Sequence, residues 1–94
     1  MNNKINVRDL LTETELLAQL AEECAELAKA ALKLRRAIDK TNPTPITEKE
    51  AREQLTEEVS DVGFVLRELG VSIDEKIVAK KKVRWIGRLS KREG

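Results

Sequence analysis

Three times in this chain a hydroxyl residue is followed three places later by glutamate, just ahead of an apolar-periodic run: Thr12-x-x-Glu15, Thr47-x-x-Glu50 and Ser72-x-x-Glu75. Each is a capping box, in which the hydroxyl accepts from an orphan amide of the first helical turn while the carboxylate reaches back to the cap. Helix ends are marked as clearly. Asn42-Pro43-Thr44-Pro45 cannot continue a helix past Lys40, and Gly70 suits the left-handed residue that closes one. The third run fades after Leu89. The 94 residues therefore read as one domain, 1–94, of three main helices, with a short N-terminal turn before Thr12 that Asn6 or Asp9 could cap. Composition agrees: 37% of residues are charged, 2% are aromatic, and leucine and alanine dominate the apolar set, a mix suited to helices rather than sheets.

Apolar spacing then predicts how the helices meet. Leu17, Leu20, Cys24, Leu27, Ala31, Leu34 and Ile38 alternate three and four apart, as do Leu55, Val59, Val62, Leu66 and Leu69. Two such seams imply an antiparallel pair across the Pro-containing loop. Further apolar residues, among them Ala21, Ala25, Ala28, Leu32, Gly63, Phe64 and Val65, spread around both helices. Apolarity on several sides implies burial on several sides, and a chain this short supplies few neighbours. A homo-oligomeric helical bundle is the expectation.

Charge and cysteine content exclude several classes of function. Net charge is +1, so no global basic excess argues for nucleic acid, and nucleic acid is not an expected partner. With no histidine and one cysteine, His-based catalysis, Cys/His pairs, an internal disulfide and most zinc sites are set aside. No apolar run approaches the ~20 residues of a membrane span, and no signal-peptide core opens the chain. A cytoplasmic protein without membrane partners is expected. The charge is nonetheless divided. Lys76 to Arg92 holds eight Lys/Arg and no acid, while most carboxylates precede Lys76. Lys76, Lys80, Arg84 and Arg88 recur every four residues as one positive ridge.

The most informative motifs are two acidic pairs. Glu22-Glu23-Cys24-Ala25-Glu26 and Glu57-Glu58-Val59-Ser60-Asp61 each present two carboxylates three apart on one helix face. At ~100° per residue, Glu23 and Glu26 hold the same offset from their seam as Glu58 and Asp61 from theirs. Packed seam to seam, the pairs can flank one groove. Four converging carboxylates raise one another's pKa unless a cation joins them, and Mg²⁺ takes oxygen ligands while bridging to phosphates. Lys80 and Arg84 could then hold phosphate oxygens. Against this stands the plain alternative that a Glu-rich helix surface is a solvated face.

The ordered set resembles the MazG-like, all-α nucleoside triphosphate pyrophosphohydrolases, whose signature is an ExxE pair, an ExxD pair on the next helix, and a following Lys/Arg helix. EECAE (22–26), EEVSD (57–61) and KKKVRWIGR (80–88) carry the likeness across about residues 13–89. The resemblance implies Mg²⁺, with Mn²⁺ as a possible substitute, on Glu23, Glu26, Glu58 and Asp61. It also implies hydrolysis of a nucleoside triphosphate to the monophosphate and pyrophosphate, and a homodimer or homotetramer. Glu22 or Glu57 is a candidate acceptor for the proton of the attacking water, although their outward positions also suit simple solvation. Lys80 and Arg84, with Lys81 and Arg88 as second choices, would face the leaving pyrophosphate. The sequence departs from the family in its long connection, with an insertion at Asn42–Thr47, and in having no tyrosine. Phe64 or Trp85 could stack on a base, but core packing is the simpler role for both. Cys24, on the seam, reads as a small core residue. Three other readings remain: a non-catalytic nucleotide-sensing or regulatory subunit, a helical assembly module, and a nucleic-acid binder using the basic helix.

Overall fold

The computed structural model of the chain describes residues 4–40 and 46–93. A 3-10 turn, η1 (Val7–Asp9), precedes three α-helices, α1 (Glu13–Asp39), α2 (Glu48–Leu69) and α3 (Glu75–Glu93). Among the described residues there is no strand, and no helix is long and apolar enough to cross a membrane. Most of the Asn42–Thr47 insertion lies outside the described residues.

The capping signals work as local chemistry predicts at two of three places. Thr12 Oγ1 accepts from the Glu15 amide at 3.2 Å while Glu15 accepts from the Thr12 amide at 2.9 Å. These bonds hold the Glu15 carboxyl below the usual glutamate range. Thr47 Oγ1 accepts from the Glu50 amide and donates to its carboxylate. At the third place the cap moves. Asp74, not Ser72, accepts from the Lys76 and Ile77 amides, so the α3 cap lies two residues beyond the hydroxyl. Aspartate is as good a cap as serine, and the sequence offers both. α1 closes on Lys40 in the left-handed region (φ 56°) and α2 on Gly70 (φ 74°). In η1 the Asn6 amide donates to Asp9 Oδ2 at 2.9 Å.

α1 and α2 form the antiparallel hairpin. Its seam keeps Leu20, Leu27, Leu34, Leu55, Val62 and Leu69 of the expected positions and takes Leu16, Glu23, Ala30, Glu58 and Val65 at the alternate ones. Leu16, Ala30 and Leu34 are buried on α1, and Ala51 and Val65 on α2. Half-buried Leu20, Glu23, Leu27, Leu55, Glu58, Val62 and Leu69 fall on the same lines. Leu17, Cys24, Ala31, Ile38 and Val59, expected inside, are exposed. The cause is the second apolar stripe. A residue one position along is rotated by ~100°, and either stripe repeats at three and four. Periodicity alone therefore cannot say which stripe meets the partner helix. Fully covered Ala51 and buried Ala30 let the two axes approach closely.

α3 does not complete a three-helix core. Every α3 side chain from Glu75 to Arg92 is exposed, and α3 packs extensively on neither helix of the hairpin. Trp85 is 55% exposed and Phe64 of α2 43% exposed, so neither packs in the core. The Cα radius of gyration is 17.5 Å, against about 12 Å for a compact chain of this length.

Candidate metal centre

Because Glu23 and Glu58 take seam positions, the hairpin brings them face to face near mid-length. Carboxylate oxygens of Glu23, Glu58 and Asp61 lie within 4.8 Å of one another. Glu23 and Glu58 are half-buried and Asp61 exposed. Glu58 sits where an apolar residue would complete the seam. Its carboxyl is pushed above the usual range, first by loss of water and then by the charges of Asp61, Glu23, Glu26 and Glu57. Loss of water and like charges both disfavour the ionised form. Among the described residues no Lys or Arg pairs with Glu23, Glu58 or Asp61.

Glu26 stands at the margin. Its charge reaches Glu58, but its carboxylate lies outside the triad and pairs at 3.5 Å with exposed Lys29. Glu22 and Glu57 are exposed on the same side of the hairpin. Lys80, Lys81, Arg84 and Arg88 are not brought to the acids, since all four lie on α3. The cysteine between the first acids, Cys24, is a free exposed thiol.

Three features near the triad escaped the sequence reading. Gln19 donates from Nε2 to Glu23 Oε1 at 2.8 Å, fixing that carboxylate from one turn earlier. The i, i+4 spacing was visible, but nothing in it distinguished this pair from other surface polar pairs. Beside the acids lies a concavity of about 330 Å³ whose wall includes Val7, Leu11, Glu23, Asp61, Phe64 and Glu68, within the lower range of small-molecule sites. The N-terminal segment supplies Val7 and Leu11. It is fastened there by the Val7 amide, which donates to buried Glu68 Oε1 at 2.7 Å across 61 residues. No local pattern announces a contact of that sequence separation. Finally, the Arg67 guanidinium lies 5.6 Å from the Phe64 ring centroid, a cation–π arrangement at the rim of the concavity.

The donor set fits a hard divalent cation. It is all oxygen and anionic, is partly desolvated, and has a partly apolar concavity alongside. A zinc or copper site would call for imidazole or thiolate. No family model matches the chain, and neither does any curated protein or solved structure.

Proposed function

We propose that the protein is a Mg²⁺-dependent nucleoside triphosphate pyrophosphohydrolase that converts (d)NTP and water to (d)NMP and pyrophosphate, acting as a homodimer or homotetramer. The observation that carries this reading is the convergence of Glu23, Glu58 and Asp61 from two helices, with no Lys or Arg paired to them among the described residues. Mg²⁺ held by these three, with Glu26 at the margin, would neutralise triphosphate charge and activate water, with Mn²⁺ a possible substitute. The remaining work falls to the chain. Gln19 holds Glu23 in position. Glu58, whose carboxyl is raised by loss of water and by its acidic neighbours, must be ionised to hold the cation. The apolar wall of Val7, Leu11 and Phe64 offers a base or sugar a dry surface beside the acids. Glu22 or Glu57, exposed on the same side, accepts the proton of the attacking water. Lys80 and Arg84, then Lys81 and Arg88, neutralise the leaving pyrophosphate when α3 of this or another copy comes against the acids.

The test is a panel of ribo- and deoxyribonucleoside triphosphates with Mg²⁺, read by release of monophosphate and pyrophosphate. At least one substrate should turn over. Glu58→Gln and Asp61→Asn should each abolish turnover with the helical signal intact. A silent panel with no Mg²⁺ binding removes the enzyme reading. The separation of α3 from the acids favours one second reading, a nucleotide-sensing subunit that binds without turnover. Calorimetric nucleotide binding with no product would identify it.

A further inference from the structure

Among the described residues one charged side chain is buried, Glu68 of α2, at 8% exposure. It lines the concavity beside the acids. Its Oε1 accepts from the Val7 amide, and no Lys or Arg pairs with it among the described residues. Oε2 takes no hydrogen bond from those residues, yet no side-chain oxygen among them is both sealed off and unbonded. Oε2 therefore stays reachable, on the concavity that Glu68 lines.

Fastening Val7 does not call for a charge. A glutamine oxygen would accept from the same amide, and burying a carboxylate against a single neutral donor costs more than burying an amide. The surplus acceptor has a use if a ligand brings a donor. Phe64 and Val65 stand one turn before Glu68 on α2, and Asp61 two turns before it, a rise of about 10 Å. A nucleotide whose phosphates reach a cation on the acids would lay its sugar and base along that apolar stretch. The base edge then comes to Glu68.

We infer that Glu68 selects the base. Its open oxygen accepts from an exocyclic amino group, so the preferred substrates carry cytosine, adenine or guanine rather than uracil, thymine or hypoxanthine. This rests on the nucleotide reading above and adds to it the class of base. A carboxylate has acceptors only, so a carbonyl oxygen in the amino group's place meets repulsion. Uracil and thymine offer their base N–H between two carbonyl oxygens, which the same charge repels. A site built around a hydrogen bond to a substrate N–H discriminates more strongly than an apolar pocket does.

Triphosphates paired by the presence of an amino group test the inference with Mg²⁺ and the full chain. The pairs are cytosine against uracil, and adenine and guanine each against hypoxanthine, read by kcat/KM and by calorimetric Kd. At least one pair should favour the amino-bearing member by about tenfold or more. Glu68→Gln keeps an oxygen for the Val7 amide and turns an amide NH₂ towards the concavity. The preference should then shrink to within about twofold or reverse. Turnover or binding with no pair separated overturns the proposal, and where there is turnover the hydrolase reading stands. A preference unchanged in folded Glu68→Gln overturns it too, because Glu68 would then serve only to anchor Val7. Amino-selective binding without product means the opposite: the proposal holds and the hydrolase reading fails. No binding of any member removes both. The base ratios are read on the unaltered protein, so they decide the matter even if Glu68→Gln fails to fold.

Discussion

The α1–α2 hairpin and α3 each begin at a capped helix start and carry an apolar stripe with basic residues in the last turn. The hairpin buries its stripe and α3 buries none of its own. The difference lies in what the stripes face. α1 and α2 are consecutive long runs that lie side by side as an antiparallel pair. α3 follows Gly70, and Val71, Ile73, Val78, Trp85, Ile86 and Leu89 all remain open to water. An apolar stripe thus declares that a helix needs a partner without naming the partner. Charge sharpens the contrast, for the hairpin mixes both signs while α3 carries only cations from Lys76 to Arg92.

The largest expected effect tests the hairpin's half of the contrast. Glu58→Gln should lower Mg²⁺-dependent turnover by on the order of 100-fold or more, whereas Lys80→Ala with Arg84→Ala should cost about tenfold or more in kcat/KM through lost charge-assisted hydrogen bonds. Equal losses would mean that α3 belongs to the site as fully as the acids do. Next comes stability. Leu34→Ala should cost about 2–5 kcal/mol by denaturant midpoint, while Leu89→Ala should stay within about 0.5 kcal/mol. A large loss at Leu89 would show α3 covered in solution and break the comparison. Glu68→Ala, which strands the Val7 amide, should cost about 1.5–3 kcal/mol.

A smaller effect follows from Glu58's raised pKa. A carboxyl that keeps its proton to a higher pH when folded than when unfolded loses the fold stability as pH rises through that window. Glu58→Gln should therefore raise the melting temperature of the Mg²⁺-free protein at neutral pH. Cation binding needs the ionised form, so Mg²⁺ affinity, followed by calorimetry, should fall with decreasing pH earlier than an ordinary glutamate would dictate. The smallest expected effect is Thr12→Ala, about 1 kcal/mol from the lost cap, read from thermal unfolding.

Helix number and the caps at Thr12, Thr47 and Gly70 were legible in the sequence because they are local chemistry within four residues. The pairing of Glu23 with Glu58 and Asp61 was legible in outline, since equal phase on two antiparallel helices puts them together whichever stripe forms the seam. The seam positions at Leu20, Leu27, Leu34, Leu55, Val62 and Leu69 were legible too, but the alternate ones were not. Leu16 or Leu17, and Glu58 or Val59, differ by one residue, and deciding between them needs the facing helix. The acids therefore sit nearer the seam than expected and Cys24 further from it. Sequence distance hid the rest. Val7 meeting Glu68 depends on both helices already lying antiparallel, and the fate of α3 depends on what else is present to pack against.

That long-range tie makes the concavity beside the acids separable from the hairpin that supports it. Breaking one hydrogen bond between Val7 and Glu68 would peel off Val7 and Leu11 while leaving α1 against α2, a sub-global opening far easier than unfolding. The Val7 amide proton is therefore a gauge. Its hydrogen-exchange rate counts how often the wall lifts, and a ligand seated against that wall would slow this one proton while leaving the helix amides nearly untouched.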